Sequence, residues 1–125
     1  MRPLILTQNI TADGSVEMLD DWFDPMAQDV DQARIVARDS AACDAILLGR
    51  QTFEDFRGFW PQQTEDTTGV SDELNTLQKY VVTSTLTDPE WQNSTILTGD
   101  PVEQVRALKQ ADGAEIGRAS CRERV

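Results

Sequence analysis

One stretch of the chain, Leu48-Gly49-Arg50-Gln51-Thr52-Phe53-Glu54, has the residue types and order to hold an anion. Backbone N–H groups in the first turn of a helix have no intrahelical partner and point outward, so a phosphate docks there at little cost. Arg50 adds a permanently charged, fork-shaped donor. It stands out in a chain with 11 basic residues against 22 acidic ones. At this level two readings stand side by side. Either the junction binds phosphate, or Arg50 pairs with a carboxylate and Thr52 merely caps the helix.

Other chemistries are excluded by what the sequence lacks. There is no histidine, so a serine or cysteine hydrolase triad has no base. With two cysteines, Cys43 and Cys121, and carboxylates that show no repeated ligand spacing, no metal site is expected. No glycine-rich Rossmann fingerprint occurs, so a dinucleotide site must be of another kind. The net charge of −11 argues against a broad nucleic-acid surface, which needs clustered Lys and Arg. No apolar run is long enough to cross a bilayer. The apolar N-terminal stretch stops at Gln8-Asn9, too short for a secretory signal, so a cytoplasmic location is expected. In that compartment a Cys43–Cys121 disulfide carries little weight, and the glycosylation-like triplets at Asn9 and Asn93 are coincidental.

The elements that must position the junction follow from periodicity. Leu4 to Ile10 is short, apolar and β-compatible, and Thr11-Ala12-Asp13-Gly14 supplies a turn in which Gly14 takes positive φ. Asp20, Asp21, Trp22, Phe23 and Asp24 keep the next stretch irregular. Met26, Val30, Ala33, Ala37 and Ala41 share one helical face, and that helix ends near Ala42. Ala45-Ile46-Leu47-Leu48-Gly49 is a continuous apolar run, suited to a strand buried on both faces of a largely parallel sheet. Helix then buried strand predicts an α/β fold. A short helix from Thr52 to Phe56 ends at Trp60-Pro61, and a second starts with its cap at Ser71-Asp72-Glu73. Lys79 to Ser84 and Ser94 to Leu97 read as strands. Asp100-Pro101-Val102-Glu103 is a helix start with an N-cap acid, proline in the first turn and Glu at the third position. Its buried stripe is Val102, Val105, Leu108 and Ala111. Asp112-Gly113 ends it, and Ala114-Glu115 leads toward another strand.

Four segments in this order resemble a known family: Leu6 to Gly14, Leu47 to Glu54, Lys79 to Ser84 and Ser94 to Leu97. Over essentially all of residues 1–115 the chain resembles the bacterial dihydrofolate-reductase-like family, which includes the C-terminal reductase domain of the bifunctional riboflavin-biosynthesis deaminase-reductase. The resemblance implies a three-layer α/β fold around a mostly parallel sheet, with NADPH as cofactor. It also implies hydride transfer to a small heterocyclic substrate, a phosphoribosylaminouracil or a pterin-like ring. The cofactor carries the reactivity and the protein supplies position and field. Gly49, Arg50, Gln51 and Thr52 are implied to grip the NADPH phosphates, and Ser84 and Thr85 the adenosine 2′-phosphate; the bland reading of Ser84-Thr85 is a strand-ending turn. Asn9 and Thr11 are implied to lie beside the substrate. Asp13 is a catalytic candidate or a turn residue, and Asp31 is the acid that could hold a pterin. Trp22 and Trp60 are either loop packing or substrate platforms. Relatives often pair, so the intact parent is a candidate homodimer. A non-catalytic nucleotide-binding or dimerising relative of the same fold is the alternative, and an acidic domain with an accidental motif is a third reading.

The last ten residues, Ile116-Gly117-Arg118-Ala119-Ser120-Cys121-Arg122-Glu123-Arg124-Val125, change character abruptly. They resemble the read-through translation of a common sequencing adapter, which divides the chain into a domain at 1–115 and a foreign tail at 116–125. On that division the fold is incomplete: the central fifth strand and the later strands are missing. Glu115 to Arg118 are then expected to fill part of the vacant strand position, loosely packed. The chain itself is expected to be unstable or aggregated and inactive.

Overall fold

The computed structural model describes residues 1–8, 10, 12–14 and 29–119. Its elements run β1 (Leu4–Thr7), α1 (Val30–Ala41), β2 (Cys43–Gly49), α2 (Arg50–Phe59), a 3-10 turn at Trp60–Gln62, α3 (Val70–Thr76), β3 (Gln78–Val82), β4 (Ser94–Leu97), α4 (Pro101–Gln110) and β5 (Glu115–Ala119). The expected apolar run becomes the middle strand of a five-stranded sheet of order β1-β5-β2-β3-β4. Every pairing among the described strands is parallel.

Alternation along β2 divides the core between two faces. Leu48 packs with Phe53, Trp60, Leu74, Val81 and Trp91, under α2 and α3. Leu47 packs with Leu108 and Ile116, under α4. Helices on both faces of a parallel sheet make the three-layer α/β arrangement expected from the order of elements. Trp60 is buried in the first cluster, so its role is packing rather than that of a substrate platform.

Three local expectations need correction. Ser71 does not cap α3. Gly69, in the left-handed region at φ 82°, occupies the N-cap position. The Asp66 carboxylate accepts from the N–H of Ser71 (2.8 Å) and Thr68 (2.8 Å), while the buried Ser71 hydroxyl donates to the Trp60 carbonyl (2.5 Å). Burial pushes Asp66 up, but the hydrogen bonds from Thr68, Ser71 and Val70 outweigh it and hold the carboxyl below its ordinary range. In α4 only Leu108 of the expected stripe is buried; Val105 is half-buried, and Val102 and Ala111 are exposed. α1 begins at Val30, where the Asp29 side chain accepts from the N–H of Asp31 and Gln32, and it buries no residue. The start expected at Met26 lies outside the described residues. Gly14 takes positive φ (91°), as its turn requires.

The larger correction concerns the fifth strand. The position between β1 and β2 is occupied, by Glu115–Ala119, and paired on both sides: Leu4 with Ile116 through Thr7 with Ala119, and Cys43 with Glu115 through Leu47 with Arg118. Glu115 to Arg118 thus lie where they were expected, but the loose packing is not found, since Ile116 is fully buried. A central slot in a parallel sheet asks for backbone partners on two edges and an apolar side chain toward the core, and Ile116 satisfies both.

The amino end of the sheet is closed by a polar clasp. In the pairing of β2 with β5 the register shifts between Cys43 and Ala45, leaving Asp44 as a bulge that turns its carboxylate aside. That carboxylate meets the guanidinium of Arg2 and accepts from the N–H of Ala114 (3.0 Å). Arg2, itself buried, also donates from Nε to the Ala114 carbonyl (2.9 Å) and from its backbone N–H to the Lys109 carbonyl (2.9 Å).

Candidate functional site

In a parallel sheet with helices on both faces, ligands bind at the carboxyl ends of the strands. The junction singled out in the sequence lies there. β2 ends at Gly49 and α2 begins at Arg50 without a break, ten residues long. Gly49 is the N-cap residue, and no side chain caps the helix. Thr52 is buried, and its capping role is not realised. The first-turn N–H groups therefore face outward with no side-chain acceptor from the cap position. Gly49 has ordinary extended backbone (φ −76°), and a Cβ placed on it meets nothing within 4 Å. Neither the chain's conformation nor its packing requires glycine at that position. Close approach by an outside group would.

Register brings the second group of candidates to the same edge. Gly49 pairs with Val82, the last residue of β3, so Thr83, Ser84 and Thr85 begin the loop beside the junction. Ser84 and Thr85 are both exposed. Thr83, which the sequence reading counted only as part of the strand, organises this loop: its Oγ1 accepts from the N–H of Thr85 (3.2 Å) and of Leu86 (3.2 Å). A hydroxyl two residues before an N–H is the sequence signal that points to such a turn.

Of the side chains expected to grip phosphate, Arg50 and Gln51 are engaged along α2. Arg50 Nη1 donates to Glu54 Oε2 at 2.6 Å, and Gln51 Nε2 donates to Asp55 Oδ1 at 3.0 Å. The carboxylate-pairing alternative for Arg50 is therefore realised, with Glu54 as partner. The pair is open to solvent, with 44% of the Arg50 side chain and 29% of the Glu54 side chain exposed. Its i,i+4 spacing was visible in the sequence.

The remaining candidates are dispersed. Asp13 is exposed in the turn after β1, two strands away from β2 on the same edge. Asp31 lies in the first turn of α1, 81% exposed, and accepts from Arg34 Nη1 at 3.3 Å. Asn9, Thr11 and Trp22 lie outside the described residues. Gly49 to Thr52 and Ser84-Thr85 are thus brought together, whereas Asp31 lies in the first turn of α1 with Arg34 as its partner among the described residues.

One buried charge was not anticipated. Lys79, fully buried at the start of β3, donates from Nζ to the carbonyls of Leu74 (2.5 Å) and Leu77 (3.0 Å), and its ammonium stands 4.4 Å from the centre of the Trp91 ring. Burial pulls its pKa down to about 8. It lies near the amino end of β3, away from the junction. Cys43 is pushed up, by burial first and then by Glu115, Glu73, Asp39 and Asp44, which makes it a poor nucleophile. Among the described residues no group of Cys, Asp and Glu is arranged to hold a metal ion, and no helix is long and apolar enough to cross a membrane.

The family described as RibD C-terminal domain matches residues 2–118, nearly the whole chain and three residues past Glu115. No curated protein matches. The match covers the first four strands, the junction between β2 and α2, and all but the last residue of β5. The chain belongs to the RibD C-terminal domain family, the reductase-like domain of the riboflavin-pathway deaminase-reductases.

Proposed function

We propose that this protein represents an NADPH-dependent reductase that passes a hydride to a small heterocyclic substrate, an aminouracil of the riboflavin pathway or a pterin-like ring, and that the 125-residue chain as it stands is inactive. The observation that carries the reading is the junction of β2 and α2: an uncapped helix start at the carboxyl edge, an exposed guanidinium in its first turn, and a glycine whose absent side chain leaves open space. A phosphate group fits these three features together, because it needs outward N–H donors, a cationic fork and close approach to the backbone. When bound, the reduced nicotinamide supplies the hydride, which asks for no strong acid or base from a chain without histidine.

In this reading Gly49, Arg50, Gln51 and Thr52 hold the cofactor phosphates, Thr52 through its backbone N–H. Ser84 and Thr85 offer hydroxyls toward the 2′-phosphate from a loop fixed by Thr83. Asn9, Thr11, Asp13 and Trp22 belong to the segment proposed to meet the substrate, and Asp31 is the proposed acid for a pterin-like ring. We also propose that residues 116–125 are read-through of foreign sequence, which the coding sequence beyond Glu115 tests.

Titration with NADPH and NADH, followed calorimetrically, tests the assignment. Hydrogen bonds to charged groups contribute about 1.5–3 kcal/mol, so Arg50→Ala should weaken NADPH by about tenfold or more, while loss of the Ser84 and Thr85 hydroxyls should weaken NADPH more than NADH. An NADPH affinity unchanged by Arg50→Ala contradicts the phosphate assignment. NADPH oxidation with candidate substrates then separates turnover from storage.

A further inference from the structure

Arg50 sits where helix physics does not favour it. A cation in the first turn opposes the positive end of the helix dipole. The order Arg before Glu at i,i+4 is also the weaker orientation of such a pair. Helix stability therefore does not account for Arg50, and Glu54 offsets its unfavourable position at 2.6 Å. The next residue repeats the arrangement, since Gln51 reaches along the helix to Asp55 at 3.0 Å. The second Asp55 oxygen, Oδ2, is buried without a hydrogen-bond partner among the described residues, so this carboxylate has acceptor capacity to spare. Both first-turn side chains thus lie folded back along α2 onto a row of carboxylates.

We infer that Glu54 is a built-in counter-ion that competes with the nucleotide phosphate for Arg50 and thereby lowers the affinity of the junction for that phosphate. The inference rests on the proposed reading of this junction as the cofactor site. To reach a phosphate at the helix start, Arg50 must exchange Glu54 for the ligand, and the released carboxylate stays close enough to repel it. Glu54 is a tuning residue rather than a catalytic one. Its effect is modest because the pair is partly solvated: exposed pairs contribute about 0.2–1 kcal/mol, which corresponds to at most about fivefold in a binding constant.

The test is a double-mutant cycle on the 125-residue chain, titrated with NADPH at low protein concentration, for wild type, Glu54→Gln, Arg50→Gln and the double variant. Glu54→Gln should tighten NADPH by about two- to fivefold, and the gain should vanish when Arg50 is already Gln, an interdependence that a merely structural role would not produce. If NADPH binds and Arg50→Gln weakens it, yet Glu54→Gln leaves affinity unchanged or lowers it, the counter-ion role is overturned while the cofactor site stands. If Glu54→Gln tightens binding equally in both backgrounds, it acts through net charge alone and the role is also overturned. If the wild type does not bind NADPH and Arg50→Gln changes nothing, the cofactor reading fails and takes the counter-ion role with it. Urea unfolding of each variant separates these outcomes from loss of fold.

Discussion

Replacing Lys79 by methionine tests how a buried ammonium is tolerated without a carboxylate. In the folded protein its pKa falls from the ordinary 10.5 to about 8 through burial. The difference is worth about 3 kcal/mol between the two protonation states, at 1.36 kcal/mol per tenfold step. Two carbonyls and the Trp91 ring act the other way, since they favour the charged form. At neutral pH methionine removes the burial penalty and strands the Leu74 and Leu77 carbonyls, at about 1–3 kcal/mol each, so the net change there is not diagnostic. The pH dependence is. Between pH 8 and 10.5 the unfolded chain still holds a proton that the folded chain has released, so stability rises with pH across that window. Below it both states are charged, and above it both are neutral. Urea unfolding followed by the fluorescence of buried Trp60 and Trp91, from pH 7 to 10.5, should show wild type gaining about 3 kcal/mol relative to Lys79→Met. Other titrating groups cancel in the difference. A flat difference means the carbonyls and ring fully compensate burial; a falling one means they win, and either refutes the argument.

The other predictions bear on the packing that holds the junction in place. Ile116→Ala should cost about 2–5 kcal/mol in urea unfolding, because the side chain is fully buried between β1 and β2; a change within about 0.5 kcal/mol places β5 elsewhere. Gly113→Ala should cost about 1–3 kcal/mol, since its Cβ falls 2.6 Å from Arg2 Cζ and 2.8 Å from Asp44 Oδ2 at a φ of 156°; native-like stability shows the clasp dispensable. β1 is an edge strand among the described residues, with Leu6 60% and Ile5 37% exposed, so the chain should associate as concentration rises, and Leu6→Lys should reduce that association in sedimentation. Association unchanged by Leu6→Lys locates the contact away from this edge.

Much of the positioning framework was legible because it is local. Asp100 accepts from the N–H of Val102 and Glu103, with Pro101 in the first turn, as the four-residue pattern dictates. The apolar run of β2 announced a strand covered on both faces, and Ser94–Leu97 kept its expected bounds. What escaped depends on partners outside the element that carries the residue. Nothing near Lys79 says that its ammonium meets the end of α3 and the ring of Trp91. Ser71 looks like a cap until Asp66, five residues earlier, takes its N–H. The spacing Val30, Ala33, Ala37 and Ala41 satisfies a helix period, but its alanines leave little apolar surface to bury, and α1 buries none of them. Glu115 to Arg118 lie in the strand position expected for them, and what the sequence did not show is how closely they pack, with Ile116 fully buried and Gly117 passing the Cys43 sulfur.

The two ends of the sheet treat their polar groups oppositely, and that contrast is the strongest physical argument for where a ligand binds. At the amino end, Arg2 and Lys79 are buried cations whose donors are committed to backbone carbonyls and to Asp44. Removing any partner there strands a buried group, so those contacts belong to the fold. At the carboxyl end, Arg50 and Gln51 are exposed, and each is held by a single carboxylate one turn away. Such contacts are worth little in water and can be exchanged at little cost. A helix start with no side-chain cap lies beside them. A fold that commits its cations at one end and leaves Arg50 exchangeable at the other supports the proposed reading of the second end as an anion site.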